Sequence, residues 1–385
     1  MWFMAVILLL FLFWPLKIDG SRLVLIILHY GEAWPSLYPA FLAGASMNGD
    51  VDFVIVRNLE KLPVELDNVK LVSLPLSGLN ALLSEKLHRD PAMALTYKTA
   101  YKLVDFKTMF GFLFPDVVKG YDFWGHIDAD TLPSRIISPN FLRPEMLDNH
   151  DVISGTNGMC NGPFQLYRNR ADINTLFKLS PDLPGVVNST ASKGFTESHG
   201  EMRIPFPILI KRQVIKHKFT WNRTMHTYLE DRLYHRQGAQ RGYIWSPKFN
   251  LRLRWTDLGI FPERITDDRK TAIPLMRHPV PGFFHLISWK YLKGFRGPMS
   301  RDVVDNLRRK TSRFVYVSCH GFHAVDDAVN NPSQRDEVEK ASLAPCDFPR
   351  NEEVFYRPGR QAACLGGVDA YDQMLKFAAR AGRVR

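Results

Sequence analysis

Apolar positions along this chain fall into short runs separated by longer segments with helical spacing. The runs Leu23–Leu28, Val51–Val56, Val69–Leu74 and Phe123–Ile127 are mostly apolar. Such short runs read as strands. Between them, Leu37–Ala45, Leu79–Leu87 and Tyr101–Leu113 read as helices. In the last of these, Leu103, Phe106, Phe110 and Leu113 recur at spacings of three and four and predict one buried stripe, with Lys102, Asp105 and Lys107 off it. Strands alternating with helices predict an α/β fold with a mostly parallel sheet, and ligands at the carboxyl ends of its strands. A further short strand, Phe164–Tyr167, follows a Gly-Pro turn and leads into a helix from Arg168 to Leu179. From Asp151 to Phe284 the elements become shorter and more mixed.

Chemistry concentrates where the fourth run ends. YDFWGHIDAD, Tyr121 to Asp130, closes an aromatic and apolar strand with two carboxylates one residue apart. In extended chain, side chains two apart point the same way, so Asp128 and Asp130 can converge on one cation. Two like charges in a partly dry site repel, and a divalent metal relieves them. Two solvated loop acids are the plain alternative. The end of the first run, His29-Tyr30-Gly31, is a candidate nucleotide-base pocket, with Tyr30 either stacking on the base or serving as a wall. Lys102 and Asp105, three apart, can pair on a helix surface.

The blocks YKLVDFKTMFG, YDFWGHIDAD and GPFQLYRN, in that order, resemble glycosyltransferase-like proteins of the GT-A fold. The resemblance spans residues 21 to 296. It implies a Rossmann-like, mostly parallel mixed sheet flanked by helices, and a manganese or magnesium ion held by Asp128 and Asp130 against the diphosphate of a nucleotide sugar. It implies that Lys102 and Lys107 face the donor, with Asp105 orienting them, and that the strand after Gly162 lines the floor where donor and acceptor meet, with Gln165 reaching it. His285, in PGFFHLISWKYLKG, would be a further metal ligand, and Lys290 or Lys293 a partner of the diphosphate. Ile287-Ser288-Trp289 stands where similar proteins carry a glycine, and a core role for His285 is the competing reading. Glu230 and Asp231 are candidates for the base that takes a proton from the acceptor, against simple pairing with Arg232 and His235.

The function this implies is metal-dependent transfer of a sugar from a nucleotide-sugar donor to a glycan, glycoprotein or glycolipid. The alternatives are a catalytically inactive carbohydrate-binding relative and a metal-dependent phosphoester hydrolase. The formal net charge of +11 favours an anionic partner. Basic residues are spread and lack an aromatic-interleaved nucleic-acid module, so a nucleotide diphosphate or acidic lipid is the simpler account and a nucleic-acid partner is not expected.

Residues 1–16 form an uncharged apolar run, shorter than the roughly 20 residues a spanning helix needs. Residues 1–20 are therefore expected to be a signal peptide, with a short single-pass signal anchor and membrane association as the alternative. Entry into the secretory pathway agrees with the sequons Asn188-Ser189-Thr190 and Asn222-Arg223-Thr224, and places the protein in the Golgi or endoplasmic-reticulum lumen, or outside the cell. The four cysteines, Cys160, Cys319, Cys346 and Cys364, allow three pairings, of which Cys346 with Cys364 closes the shortest loop. Residues 297–385 are expected to form an accessory region.

Overall fold

The computed structural model describes residues 22–31, 38–58, 61–62, 65–138, 141–154, 163–196, 204, 206–215, 221–222, 228–230, 251–256, 259–266, 271–274, 282–285, 312–318 and 321–326. The apolar N-terminal run, all four cysteines and the last residues of the chain lie outside them. Among the described residues no helix is long and apolar enough to cross a membrane.

The expected runs are the centre of a mixed α/β fold. A seven-stranded sheet takes the order β3 (Val69–Ser73), β2 (Val51–Arg57), β1 (Leu23–Leu28), β4 (Phe123–Ile127), β7 (Phe164–Arg168), β6 (Val152–Ser154), β8 (Trp221–Asn222). All of its pairings are parallel except those of β7, which runs against β4 and β6. β1 and β4 are buried on both faces, which is why their runs carry no charged residue, whereas the edge strand β3 exposes Lys70 and Ser73. On β1, Val24 and Ile26 join one core with Leu103, Phe106, Met109 and Trp124, while Leu23, Leu25 and Ile27 join another with Phe41, Phe53 and Phe164. Gly125 is required where β4 meets β7, because a Cβ there would lie 2.3 Å from the carbonyl oxygen of Gln165.

The order matters for function. From β1 the chain passes to β2 and β3 on one side, whereas β4 lies on the other, so the strand order reverses between β1 and β4. Ligand crevices in open α/β sheets form at the carboxyl ends of strands flanking such a reversal.

Two smaller sheets follow. β5 (Thr131–Pro133), β13 (Phe283–His285) and β9 (Tyr228–Glu230) form one, with β13 antiparallel to β5 and parallel to β9. β12 (Ala272–Pro274), β11 (Gly259–Ile265), β10 (Leu251–Thr256), β14 (Ser312–Ser318) and β15 (Gly321–Asp326) form an antiparallel five-stranded sheet. In this sheet β10 pairs with both β11 and β14.

Two helices differ from expectation. The segment before β4 is a 3₁₀ helix over Tyr97–Met109, continued by an α-turn over Phe110–Leu113. A 3₁₀ helix has three residues per turn, so residues three apart share a row. Leu103, Phe106 and Met109 form one buried row, and Lys102, Asp105 and Thr108 a second. The helix expected from Arg168 to Leu179 is instead a short α-helix, Ala171–Asn174, followed by a 3₁₀ turn, Leu176–Leu179. Arg168 and Asn169 are used elsewhere: Arg168 donates to the carbonyls of Leu147, Asp148 and His150, and Asn169 to those of Val118 and Tyr121.

Candidate functional site

The strand that delivers the paired acids ends one residue before them. β4 stops at Ile127, and Asp128 to Thr131 form a turn closed by the Thr131 amide donating to the Asp128 carbonyl at 3.2 Å. The Thr131 hydroxyl donates to the same oxygen at 2.7 Å, and the Asp128 amide donates to the Pro163 carbonyl at 2.9 Å. Asp128 and Asp130 thus stand on a pinned turn, not on the extended chain that alternation alone implies. A threonine three residues after the first acid is the local reason, since its hydroxyl can close the turn from the side chain.

Just beyond the turn, Asn48 fixes the chain to helix Tyr38–Ser46. This buried amide donates to the carbonyls of Gly44 at 2.8 Å and Ser134 at 2.7 Å, and accepts from the Ile136 amide at 2.7 Å. Both sides of the acidic turn are therefore held by buried polar contacts.

Lys107 approaches from the third row of the 3₁₀ helix and pairs with Oδ1 of Asp128. The lysine side chain is 10% exposed and the aspartate side chain 25%, so the pair is partly withdrawn from water. The remaining neighbours come from the carboxyl ends of β1 and β2. His29 is half-buried; burial first, then the Arg57 guanidinium, lower its imidazole to about 4, against the opposing charge of Asp130. At neutral pH His29 is therefore an uncharged imidazole that can donate and accept. Arg57, fully buried, donates to the Gly31 carbonyl at 3.1 Å. Asn58 donates to the hydroxyl of Tyr97 at 2.8 Å, and Tyr97 is 44% exposed. A line of neighbouring polar groups thus runs from Tyr97 and Asn58 through Arg57 and His29 to Asp130, Asp128 and Lys107.

Other expected residues fall differently. Lys102 and Asp105 form a fully buried ion pair at 2.7 Å. Asp105 also accepts from the amides of Lys193 at 2.7 Å and Phe195 at 2.9 Å and from the Ser192 hydroxyl at 3.3 Å. Lys102 is therefore engaged by Asp105 inside the fold, and the pair is not on a surface, because the threefold period turns both residues inward. Tyr30, expected to stack on a base or form a wall, is buried in the core with its hydroxyl on the Leu74 carbonyl at 2.8 Å. Gln165 is fully buried on β7, registered with His126 of β4 and Ser154 of β6, and its amide has no hydrogen-bond partner among the described residues.

His285 lies in β13, registered with Thr131 of β5 and Glu230 of β9. The backbone thus places His285 and Glu230 at the sheet row adjoining the acidic turn. Asp231, Gly162, Lys290 and Lys293 lie outside the described residues.

Carboxylate oxygens and an imidazole are donors suited to manganese or magnesium. Among the described residues, no three His, Cys, Asp or Glu side chains are gathered to hold a metal. The donor types at the turn fit a divalent ion, on the condition that it meets Asp128 against the Lys107 ammonium.

Sequence reasoning missed Arg57, Asn58 and Tyr97. A charged residue ending an apolar run marks Arg57 as it marks Asp128, and would have found it. Tyr97 carries no such signal, since its position depends on packing between distant segments.

The sequence matches a family of unknown function (DUF6625) over residues 25–255, more than half of the chain, and the chain belongs to that family. No curated protein matches it. Among solved structures, a galactosyltransferase, LgtC, determined with donor and acceptor sugar analogues, aligns with 54% of this chain and 75% of its own at 9% identity and a TM-score of 0.26.

Proposed function

We propose that the crevice between the carboxyl ends of β1 and β4 binds a nucleotide sugar, and that the protein transfers the sugar to a glycan, glycoprotein or glycolipid. The observation that carries this reading is the pinned Asp128–Asp130 turn at the point where the strand order reverses, with Lys107 directed onto it. Breaking the bond between an anomeric carbon and a diphosphate builds negative charge on the leaving group. A bound manganese or magnesium ion would supply Lewis-acid stabilisation there, on the order of several kcal/mol. Asp128 and Asp130 would hold that ion, with His285 the candidate for a further ligand.

The remaining residues have separate tasks. Lys107 supplies positive charge where the diphosphate lies. His29, neutral at working pH, offers hydrogen bonds to ribose or phosphate without adding charge. Tyr97 offers an exposed ring to a base. Lys290 is assigned to the diphosphate, and Glu230 or Asp231 to the acceptor proton.

We further assign the protein to the secretory pathway, from its apolar N-terminal run and two sequons. Of these, Asn188 is exposed, as an acceptor asparagine must be.

The test is release of nucleotide from a panel of sugar nucleotides, with and without manganese and with candidate acceptors. Metal-dependent release that rises with acceptor is the expected result. Sugar binding without release would indicate a lectin-like relative, and release of phosphate from simple esters a hydrolase.

A further inference from the structure

We propose that Lys107 is a built-in counter-cation of the acidic turn, and that it couples metal binding to nucleotide binding. This rests on the nucleotide-sugar reading above. Two carboxylates one residue apart need positive charge nearby, and here the chain supplies it: Lys107 pairs with Asp128 in a partly dry setting. A divalent ion reaching Asp128 meets an ammonium group already in contact with the same carboxylate, and like charges at such range repel strongly outside bulk water. Metal alone therefore binds weakly.

A nucleoside diphosphate would change the balance, because its phosphate oxygens would accept hydrogen bonds from the Lys107 ammonium and leave Asp128 to the ion. Lys107 can make that exchange without rearranging the fold. Its helix is anchored through buried Leu103, Phe106 and Met109, so the backbone stays and only the flexible four-carbon stem moves. Asp128 would then be released to hold the ion, and Lys107 would donate to phosphate instead. By linkage, metal and nucleotide must tighten each other by the same factor.

The experiment is titration of the full chain with manganese, free ion read by electron paramagnetic resonance, alone and with each ribonucleoside diphosphate. Wild type should bind manganese weakly alone and roughly tenfold or more tightly with its preferred diphosphate. Lys107→Met should bind manganese alone roughly tenfold more tightly than wild type and lose most of the enhancement. Lys107→Arg keeps the charge and should behave as wild type. Thermal melts report folding, and Lys107→Gln is the second uncharged variant if the methionine variant does not fold.

Equal manganese affinity in wild type and the uncharged variants would overturn the role of Lys107 and leave the metal site standing. Failure of every variant to bind manganese, with or without diphosphate, would remove the metal reading itself and this inference with it.

Discussion

Removing Asp105 should damage this protein far more than removing its ion-pair partner. The Asp105 carboxylate is fully buried and satisfies four groups: the Lys102 ammonium, the amides of Lys193 and Phe195, and the Ser192 hydroxyl. Asp105→Ala leaves a buried ammonium without its counter-charge, at about 3–5 kcal/mol. It also strands two backbone donors, each costing about 1–3 kcal/mol if water does not reach them. These terms do not simply add, yet even the lower end is a large part of the roughly 5–15 kcal/mol that holds a domain folded. Lys102→Met is milder. It leaves the buried Asp105 carboxylate without its counter-charge, but that group keeps two amide donors and one hydroxyl and no backbone donor is stranded, so the cost should be about 3 kcal/mol, the low end for breaking a buried pair. Urea denaturation gives the ranking, and hydrogen exchange of the peptide containing residues 190–196 gives the location. Asp105→Ala should open that loop selectively, and Lys102→Met should not. Equal losses in the two variants, or an unchanged loop in Asp105→Ala, would refute the argument that Asp105 acts chiefly as a backbone clasp.

The imidazole of His29 titrates near 4 in the folded protein against about 6.5 unfolded, so the unfolded chain binds the extra proton between those values and stability must fall as pH drops through that window. The contribution is fully present above about 6.5 and amounts to roughly 3 kcal/mol when wholly lost, and His29→Gln should flatten this part of a stability-against-pH curve. Gly125→Ala places a Cβ against the Gln165 carbonyl in the centre of the sheet and should abolish soluble expression or lower the melting temperature by more than about 10 °C. Expressed in a eukaryotic secretory host, the protein should carry glycan on Asn188, Asn222 or both and lack residues 1–20, as mass spectrometry would read.

Much of the central sheet was legible because β1, β2 and β4 are buried at nearly every position, so they appear as mostly apolar runs needing no knowledge of their neighbours. The helix before β4 was legible in place but not in period. Leu103 and Phe106 are three apart and fit either a 3.6- or a 3.0-residue turn; only Lys102 and Asp105 distinguish the two, and loop 192–195, which takes them inward, is some ninety residues away in sequence. The acidic pair announced itself through composition, but the extended geometry first assumed for it gave way to a turn that Thr131 closes. Lys107 reaching Asp128 follows from the packing of a helix on a sheet, and the effect of Asp130 on His29 from β1 and β4 being neighbours. Neither relation leaves a spacing in the chain. The same holds for His285 and Glu230, which three-stranded pairing brings to the row beside Thr131.

The central claim, that the turn at the end of β4 is a metal-assisted nucleotide-sugar site, is tested most directly by calorimetric titration of nucleoside diphosphate with manganese into the wild-type chain and Asp130→Ala. Asp128 pairs with Lys107, so its loss would disturb that ion pair as well as any metal, and the test is therefore made at Asp130. The account predicts manganese-dependent binding to wild type and its disappearance in a folded Asp130→Ala. Unchanged affinity in Asp130→Ala would contradict it.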